Sequence, residues 1–335
     1  MLWDYANNVL TIKNKKSKLT PKSLLLGASS KEGKEDLIGE HGEGYKVATV
    51  VLERNGVKVR IYNNEAKEVW DSKVVNSRRY GEDVVVFDIE KKIFQNDCDL
   101  VIELDGITPE MYDEIVKSNL HLQGDVGKTK ESQEGYGRIL LDSRYKGEIY
   151  VEGLYVCTKE SLEWGYDFAA NMVKLDRDRG LIDSFDLLFT VAKLVRSLGD
   201  ERFISENIRL YDLTYIASYM YKGSDLAIKT SNNVYENFKQ EYGEDAIPTS
   251  TSAEFNRYVD MGAKPIMVDR QVKEVINIVE RDFTKGIKLS DVDREFQEWL
   301  TKVEQFLPQY LAEEILGIWK RKGGYHDADE KVQAE

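Results

Sequence analysis

The chain reads as an α+β protein: strands dominate its first half, a glycine-rich loop interrupts them early, and its last third is helical. Three observations carry this. Segments such as Val57 to Tyr62 alternate apolar and polar residues at period two, as a half-buried strand does. Five glycines fall between Gly27 and Gly44, too many for a regular element. Far downstream, Val292, Phe296, Trp299, Leu300, Val303, Phe306 and Leu307 keep helical spacing and make one apolar stripe.

Taken in order, Leu10 to Ile12 alternates and predicts a strand, followed by a charged turn from Lys13 to Lys18. Thr20-Pro21 opens a short helix ending at Gly27, with proline in the first turn, where its missing donor costs little. After the glycine-rich segment, Val47, Ala48, Val50, Val51 and Leu52 predict a buried helix over Tyr45 to Leu52. Strands are expected at Val57 to Tyr62, Val69 to Val75, Val84 to Ile89 and Leu100 to Leu104, then a helix from Thr108-Pro109 to Leu120. Gly124 to Gly137 reads as a loop or domain boundary. Beyond it come strands Arg138 to Leu141 and Ile149 to Cys157, and a helix from Asp183 or Ser184 to Leu198. Ser205 to Tyr221 and Asp225 to Tyr242 fit helices, and a strand-helix-strand-helix pattern follows between Ile247 and Val279, with Lys264 to Val268 as one strand. Pro308 ends or kinks the aromatic-striped helix, and the tail from Lys320 is charged. The expected division is 1–125, 126–215 and a mainly helical 216–335.

The bulk numbers bound the function. With 335 residues, 41% of them hydrophobic and 10% aromatic, the chain can bury a sizeable core. No apolar run is long enough to cross a bilayer, and no basic, apolar, small-residue series opens the chain as a secretory leader does. Two cysteines, Cys98 and Cys157, make neither a metal-ligand spacing nor a framework of bridges, so a cytoplasmic location is expected. A net charge of −13 opposes broad nucleic-acid binding, which needs clustered Lys and Arg. Mimicry of DNA is the sharper reading of that acidity, and solubility the plainer one.

The residues that point to chemistry are Gly27-Ala-Ser-Ser30-Lys31 and Ile38-Gly39-Glu-His-Gly42-Glu-Gly44-Tyr-Lys46. Glycines at this spacing let backbone N–H groups approach an anion, and a helix starting near Tyr45 adds the positive end of its dipole. Lys31 and Lys46 are placed to neutralise phosphate. Read alone, the same glycines serve equally well as turns.

The order of strand, L-x-x-G-x-S-S-K, I-G-x-x-G-x-G-Y-K, helix and strand resembles the GHKL superfamily of ATPases (gyrase B, MutL and the histidine kinases among them). The resemblance implies a Bergerat-type α/β sandwich, followed by a β-α transducer-like domain and the helical region. It makes Gly39, Gly42 and Gly44 the phosphate glycines, puts Ser30 and Lys31 in the ATP lid, and has Lys46 begin the next helix. Its implied cofactor is ATP or ADP with Mg²⁺. The family's adenine motif D-x-G-x-G falls on Asn14-Lys-Lys16-Ser-Lys18, so Asn14 is the adenine-side candidate and both glycines are lysines. Where the family has a Gly-Thr pair this chain has Asp97-Cys98. The family's E-x-x-x-N helix, which supplies the catalytic Glu and the Mg²⁺-binding Asn, belongs some tens of residues upstream of Asn14, where this sequence is just beginning. Asp4-x-x-x-Asn8 matches its spacing by letter only. In the transducer-like block, Asp176-Arg177-Asp178-Arg179 offers Arg177 or Arg179 as phosphate sensor, or else a solvated turn.

These departures lead to the expectation of a non-catalytic GHKL scaffold that works through a protein partner, with no catalytic residue and no metal ligand of its own. A phage or mobile-element accessory or inhibitor role suits so small and acidic a member. The alternative is an ATP-binding switch of dimerisation or conformation, acting as an ATP hydrolase if the Glu/Asn helix is supplied elsewhere. A homodimer is a further expectation, because the aromatic stripe from Trp299 to Trp319 is either helix-packing core or an oligomer seam. His41, His121 and His326 have no triad-like partners, and Glu40 and Glu43 read as lid surface.

Overall fold

A computed structural model describes residues 1–24, 44–79, 81–173, 184–283, 296, 299–303 and 306–321. The class is α+β with largely antiparallel sheets, and no described helix is long and apolar enough to cross a membrane. The chain forms two compact units, one of Met1–Thr129, Tyr136–Glu160 and Trp164–Ile182, the other of Lys130–Gly135, Ser161–Glu163 and Asp183–Glu335.

In the first unit, strands β1 (Leu2–Asp4), β2 (Val9–Asn14), β3 (Lys58–Asn63), β4 (Glu68–Ser77), β5 (Glu82–Lys91) and β6 (Leu100–Asp105) form one sheet in the order β1-β2-β6-β3-β4-β5. Helix α1 (Gly44–Arg54) precedes β3, and α2 (Pro109–Lys117) follows β6. Thr108 caps α2, accepting from the Met111 N–H, with Pro109 in the first turn where it loses no bond. Alternation along the strands sends Leu10, Val59, Ile61, Trp70, Leu100 and Leu104 into one core with Leu52, Met111 and Ile115 packed on it. β1 escaped the sequence reading because three residues are too few to show a period.

A second sheet in this unit contains β8 (Gly137–Leu140), β9 (Glu148–Val151), β10 (Leu154–Thr158) and β11 (Gly165–Phe168), ordered β10-β9-β11-β8, while β7 is the short Thr129–Glu131. The single strand expected over Ile149 to Cys157 is instead a hairpin. Glu152 and Gly153 both take positive φ, +50° and +76°, which reverses the chain in two residues. Asp167 holds that turn, accepting from Gly153 N–H at 2.7 Å while pairing with Arg138 Nε at 3.0 Å.

The second unit is helical: α3 (Ser184–Ser197), α4 (Glu201–Glu206), α5 (Ile216–Tyr219), α6 (Asp225–Tyr242), α7 (Ser252–Asp260), α8 (Arg270–Ile276) and a final helix Gln309–Arg321. The expected continuous helix from Ser205 to Tyr221 is broken into α4, a 3-10 turn at Tyr211–Leu213, and α5. Asp212 lies fully buried and accepts the Glu163 N–H at 2.9 Å, which anchors the break. Between α6 and α8 the alternating pattern is present as β12 (Ala246–Thr249) and β13 (Lys264–Met267), paired in parallel. Lys273 of α8 is buried and ties them in, donating to Pro248 O at 2.5 Å and pairing with Glu254 at 2.9 Å. Of the aromatic stripe, Phe296 stacks on Trp319 at 4.0 Å and Leu300 is buried, but Trp299, Phe306 and Tyr310 are exposed.

Candidate functional site

Strands β2, β6 and β3 end side by side, because Asn14 and Asn63 both pair with Leu100. The chain entering β6 folds over that end. Asp97 Oδ1 accepts from Asp99 N at 3.0 Å and from Asn64 Nδ2 at 2.7 Å. Lys13 Nζ reaches both carboxylates, at 3.2 Å to Asp97 and 2.8 Å to Asp99. Asp99 also accepts the backbone N–H of Lys16 at 2.9 Å, and Lys18 is ion-paired with Glu65. Lys13 and then the Lys16 N–H hold the Asp99 carboxyl below the ordinary range. For Asp97 the Asp99 N–H is the first cause and Lys13 a lesser one. Lys13 is pushed up in turn, by Asp99 more than by Asp97. Lys13 and Asp97 are open to water and Asp99 is partly covered, so the contacts of Lys13 set orientation more than stability.

Lys16 stands in the left-handed region, φ +50°, where glycine is at ease and a side chain is strained. Asn14 is exposed. Asn63 and Asn64 are buried: Asn63 Nδ2 donates to Leu19 O at 2.8 Å, and the Oδ1 of each asparagine has no hydrogen-bond partner among the described residues.

Helix α1 opens at Gly44. The Tyr45 hydroxyl donates to Ser23 O, and burial pushes that phenol up. Lys46 Nζ lies 5.7 Å from the Tyr45 ring centroid. The helix forms where the apolar run predicts it, but it is not buried all round. Its two most buried residues are polar, Thr49 and Glu53, and they lie beside the half-buried Tyr45 and Leu52. Glu53 accepts from Ser72 Oγ, from Val59 N at 3.3 Å and from Lys58 Nζ at 3.2 Å. Its outward residues are apolar: Ala48 is exposed, and Val47 and Val51 are 56% and 51% exposed. The reason lies in the four-residue repeat, which sets Thr49 and Glu53 on the sheet side and leaves Val47 and Val51 on the other. Beside that face, a cleft of ≈ 280 Å³ lies between Val50 and Arg54 of α1, Val74 and Asn76 of β4, and residues 81–85.

Of the residues expected to form the site, Asn14, Gly44 and Lys46 are therefore placed, the first at the end of β2 and the other two in the first turn of α1, which packs over β3, β4 and β5. Ser30, Lys31, Gly39, Gly42, Arg177 and Arg179 lie outside the described residues. Sequence reasoning missed the Lys13–Asp97–Asp99 cluster. Its one signal was the acid-rich run Asn96-Asp-Cys-Asp99 just ahead of a strand. Among the described residues no group of three His, Cys, Asp or Glu side chains is arranged to hold a metal. No family model matches the chain, and no curated protein matches it.

Proposed function

We propose that this chain is a non-catalytic protein on a GHKL-like scaffold that acts by binding another protein. The observation that carries the reading is the exposed apolar face of α1. An isolated surface helix confines its apolar residues to the inward stripe, whereas α1, with Tyr45, Thr49, Leu52 and Glu53 toward the sheet, also presents Val47, Ala48 and Val51 outward. Val47 and Val51 are about half exposed, so covering one of them contributes about 1 kcal/mol, and a protein surface laid on α1 gains there. The ion-paired end of β2 supports the same reading. The resemblance puts an adenine contact at Asn14, and around it Lys13 and Lys18 are engaged by Asp97, Asp99 and Glu65.

A second reading, a nucleotide-dependent switch, is favoured by the glycine-like backbone of Lys16 and by α1 opening at Gly44. Calorimetric titration with ATP, ADP and a non-hydrolysable analogue, with and without Mg²⁺, separates the two. The interaction reading expects no binding. Micromolar binding that is lost in a Gly42→Val/Gly44→Val variant would replace it with the switch. On the positive side, Val47→Asp/Val51→Asp should keep the melting temperature and abolish retention of the partner. If the partner is a second copy, that variant turns a dimer into a monomer in sedimentation.

A further inference from the structure

The outer edge of β5 has features that none of the readings above uses. Ten residues of β5 pair with β4 in one unbroken register, Glu82↔Ser77 through Lys91↔Glu68, with no bulge and no proline. Among the described residues no strand pairs with its other side. A strand of this length presents a row of unpaired N–H and C=O groups, and proteins ordinarily blunt such edges. Elsewhere in this unit they are blunted: β1 is three residues long, and β10 carries an irregularity between Tyr155 and Cys157.

Charge narrows what fits. The centre of β5 is the apolar run Val84-Val-Val-Phe87, and acids flank it. Asp88 is neutralised by Lys73, and Lys91 by Glu68. Among the described residues Glu82 and Glu90 pair with no cation, and Asp83 meets only the amide of Asn76, at 3.0 Å. A second copy is a poor occupant, since antiparallel pairing about Val86 sets Glu82 against Glu90, and like charges opposite each other are unfavourable. The cleft beside α1 adds the remaining constraint, for its mainly polar lining, with Arg54, Asn76, Glu82 and Asp83, includes a wall of valines. Val74 and Val85 are cross-strand partners on one face, and both line it with Val50 of α1. Alternate side chains of an added strand would point to that face.

We propose that the edge of β5 receives an extended segment of a partner protein in which apolar residues alternate with lysine or arginine. Backbone hydrogen bonds supply the affinity, the valine wall of the cleft (Val50, Val74 and Val85) takes alternate apolar side chains, and Glu82 and Glu90 select the basic ones. This assignment rests on the interaction reading and names the chemistry of its partner.

The test uses the full chain and fluorescence anisotropy with labelled peptides ten residues long, the length of β5. A Lys-Val alternating peptide should bind, and more weakly as salt rises. A Glu-Val peptide, and a Lys-Pro peptide that keeps the charge but cannot form a strand, should bind at least about tenfold more weakly. Glu82→Lys/Glu90→Lys should weaken the Lys-Val peptide about tenfold and admit the Glu-Val one. Lys-Pro binding as tight as Lys-Val, or no Lys-Val binding at all, overturns the assignment. So does a micromolar dimer dissociated by Val86→Pro, which would give the edge to a second copy. Each of these leaves the interaction reading standing on its own nucleotide titration and on Val47→Asp/Val51→Asp.

Discussion

Replacing Glu53 by alanine tests how α1 is held to its sheet. The carboxylate side chain is 1% exposed and accepts from Ser72 Oγ, Val59 N and Lys58 Nζ. Removing one member of a buried ion pair commonly costs about 3–5 kcal/mol, because the other charge is stranded. Lys58 is not stranded here, since two-thirds of its side chain is in water. Nor are the neutral partners orphaned. Val59 N also donates to Ser72 Oγ at 3.2 Å, and that hydroxyl can turn to Val59 O at 2.8 Å. What is lost is the charge-assisted bonding from Ser72 and the packing of one methylene and the carboxyl group, offset by the desolvation of the acid, which leaves about 2 kcal/mol. Glu53→Gln keeps an acceptor for Ser72 and should cost about 1 kcal/mol. Native-state hydrogen exchange at the amides of β3 reads this locally, avoiding a global midpoint for a chain of two units. About 30-fold faster exchange is expected for Glu53→Ala where opening is local to this sheet. Exchange within about twofold of the parent, or equal for alanine and glutamine, would refute the reasoning.

Two other perturbations follow from the geometry. The Asp97 and Asp99 pKa values lie below 3.8, so the cluster's contribution is present above that pH and fades as pH falls through the folded values. Lys13, raised above 10.5, keeps its contribution until pH climbs through its folded value. Side-chain carbon titrations should therefore show Lys13→Ala raising Asp99 more than Asp97, since Lys13 is the leading cause for Asp99 alone; equal movement refutes the assignment. In the second sheet, a Cβ on Gly137 would sit 2.1 Å from Asp167 O at φ +119°, so Gly137→Ala should cost about 3 kcal/mol. Gly135, at φ +72° with nothing near, should cost about 1 kcal/mol on the same change; equal melting of the two variants would remove the steric argument.

The strands of the first sheet were legible because one of their faces is buried, and alternation records that directly. Val59 and Ile61 go in, Lys58 and Arg60 stay out. The hairpin at Glu152-Gly153 was not legible, since alternation runs through the turn without a break and Glu-Gly is a weak turn signal beside Asn-Gly. The break in the helix expected from Ser205 rests on one buried carboxylate, Asp212, whose donor lies 49 residues earlier. For α1, the apolar count predicted a buried helix, whereas the phase of Thr49 and Glu53 against Val47 and Val51 already held the answer. At the candidate site, Lys13 and Asp99 meet only because β2 pairs with β6, a juxtaposition no local pattern carries.

The passage of the chain between its units has a consequence for how the protein is made. The helical unit takes in Lys130–Gly135 and Ser161–Glu163 as well as everything from Asp183 onward. Those early pieces are bonded within it: Lys130 to Asp200 at 2.5 Å, Glu134 to Arg196 at 2.7 Å, and Gln133 N to Ser197 O at 3.0 Å. On the ribosome, which delivers sequence from the N-terminus at about 5–20 residues per second, these segments emerge seconds before α3 and α4. Their bonds to Asp200, Arg196 and Ser197 form only later, and the sheet-bearing unit closes its own last strand, β11, with them already threaded through its sequence. A gene cut at residue 183 would therefore yield two polypeptides, neither of which owns a complete fold. The natural seam of this molecule is not a point along its chain.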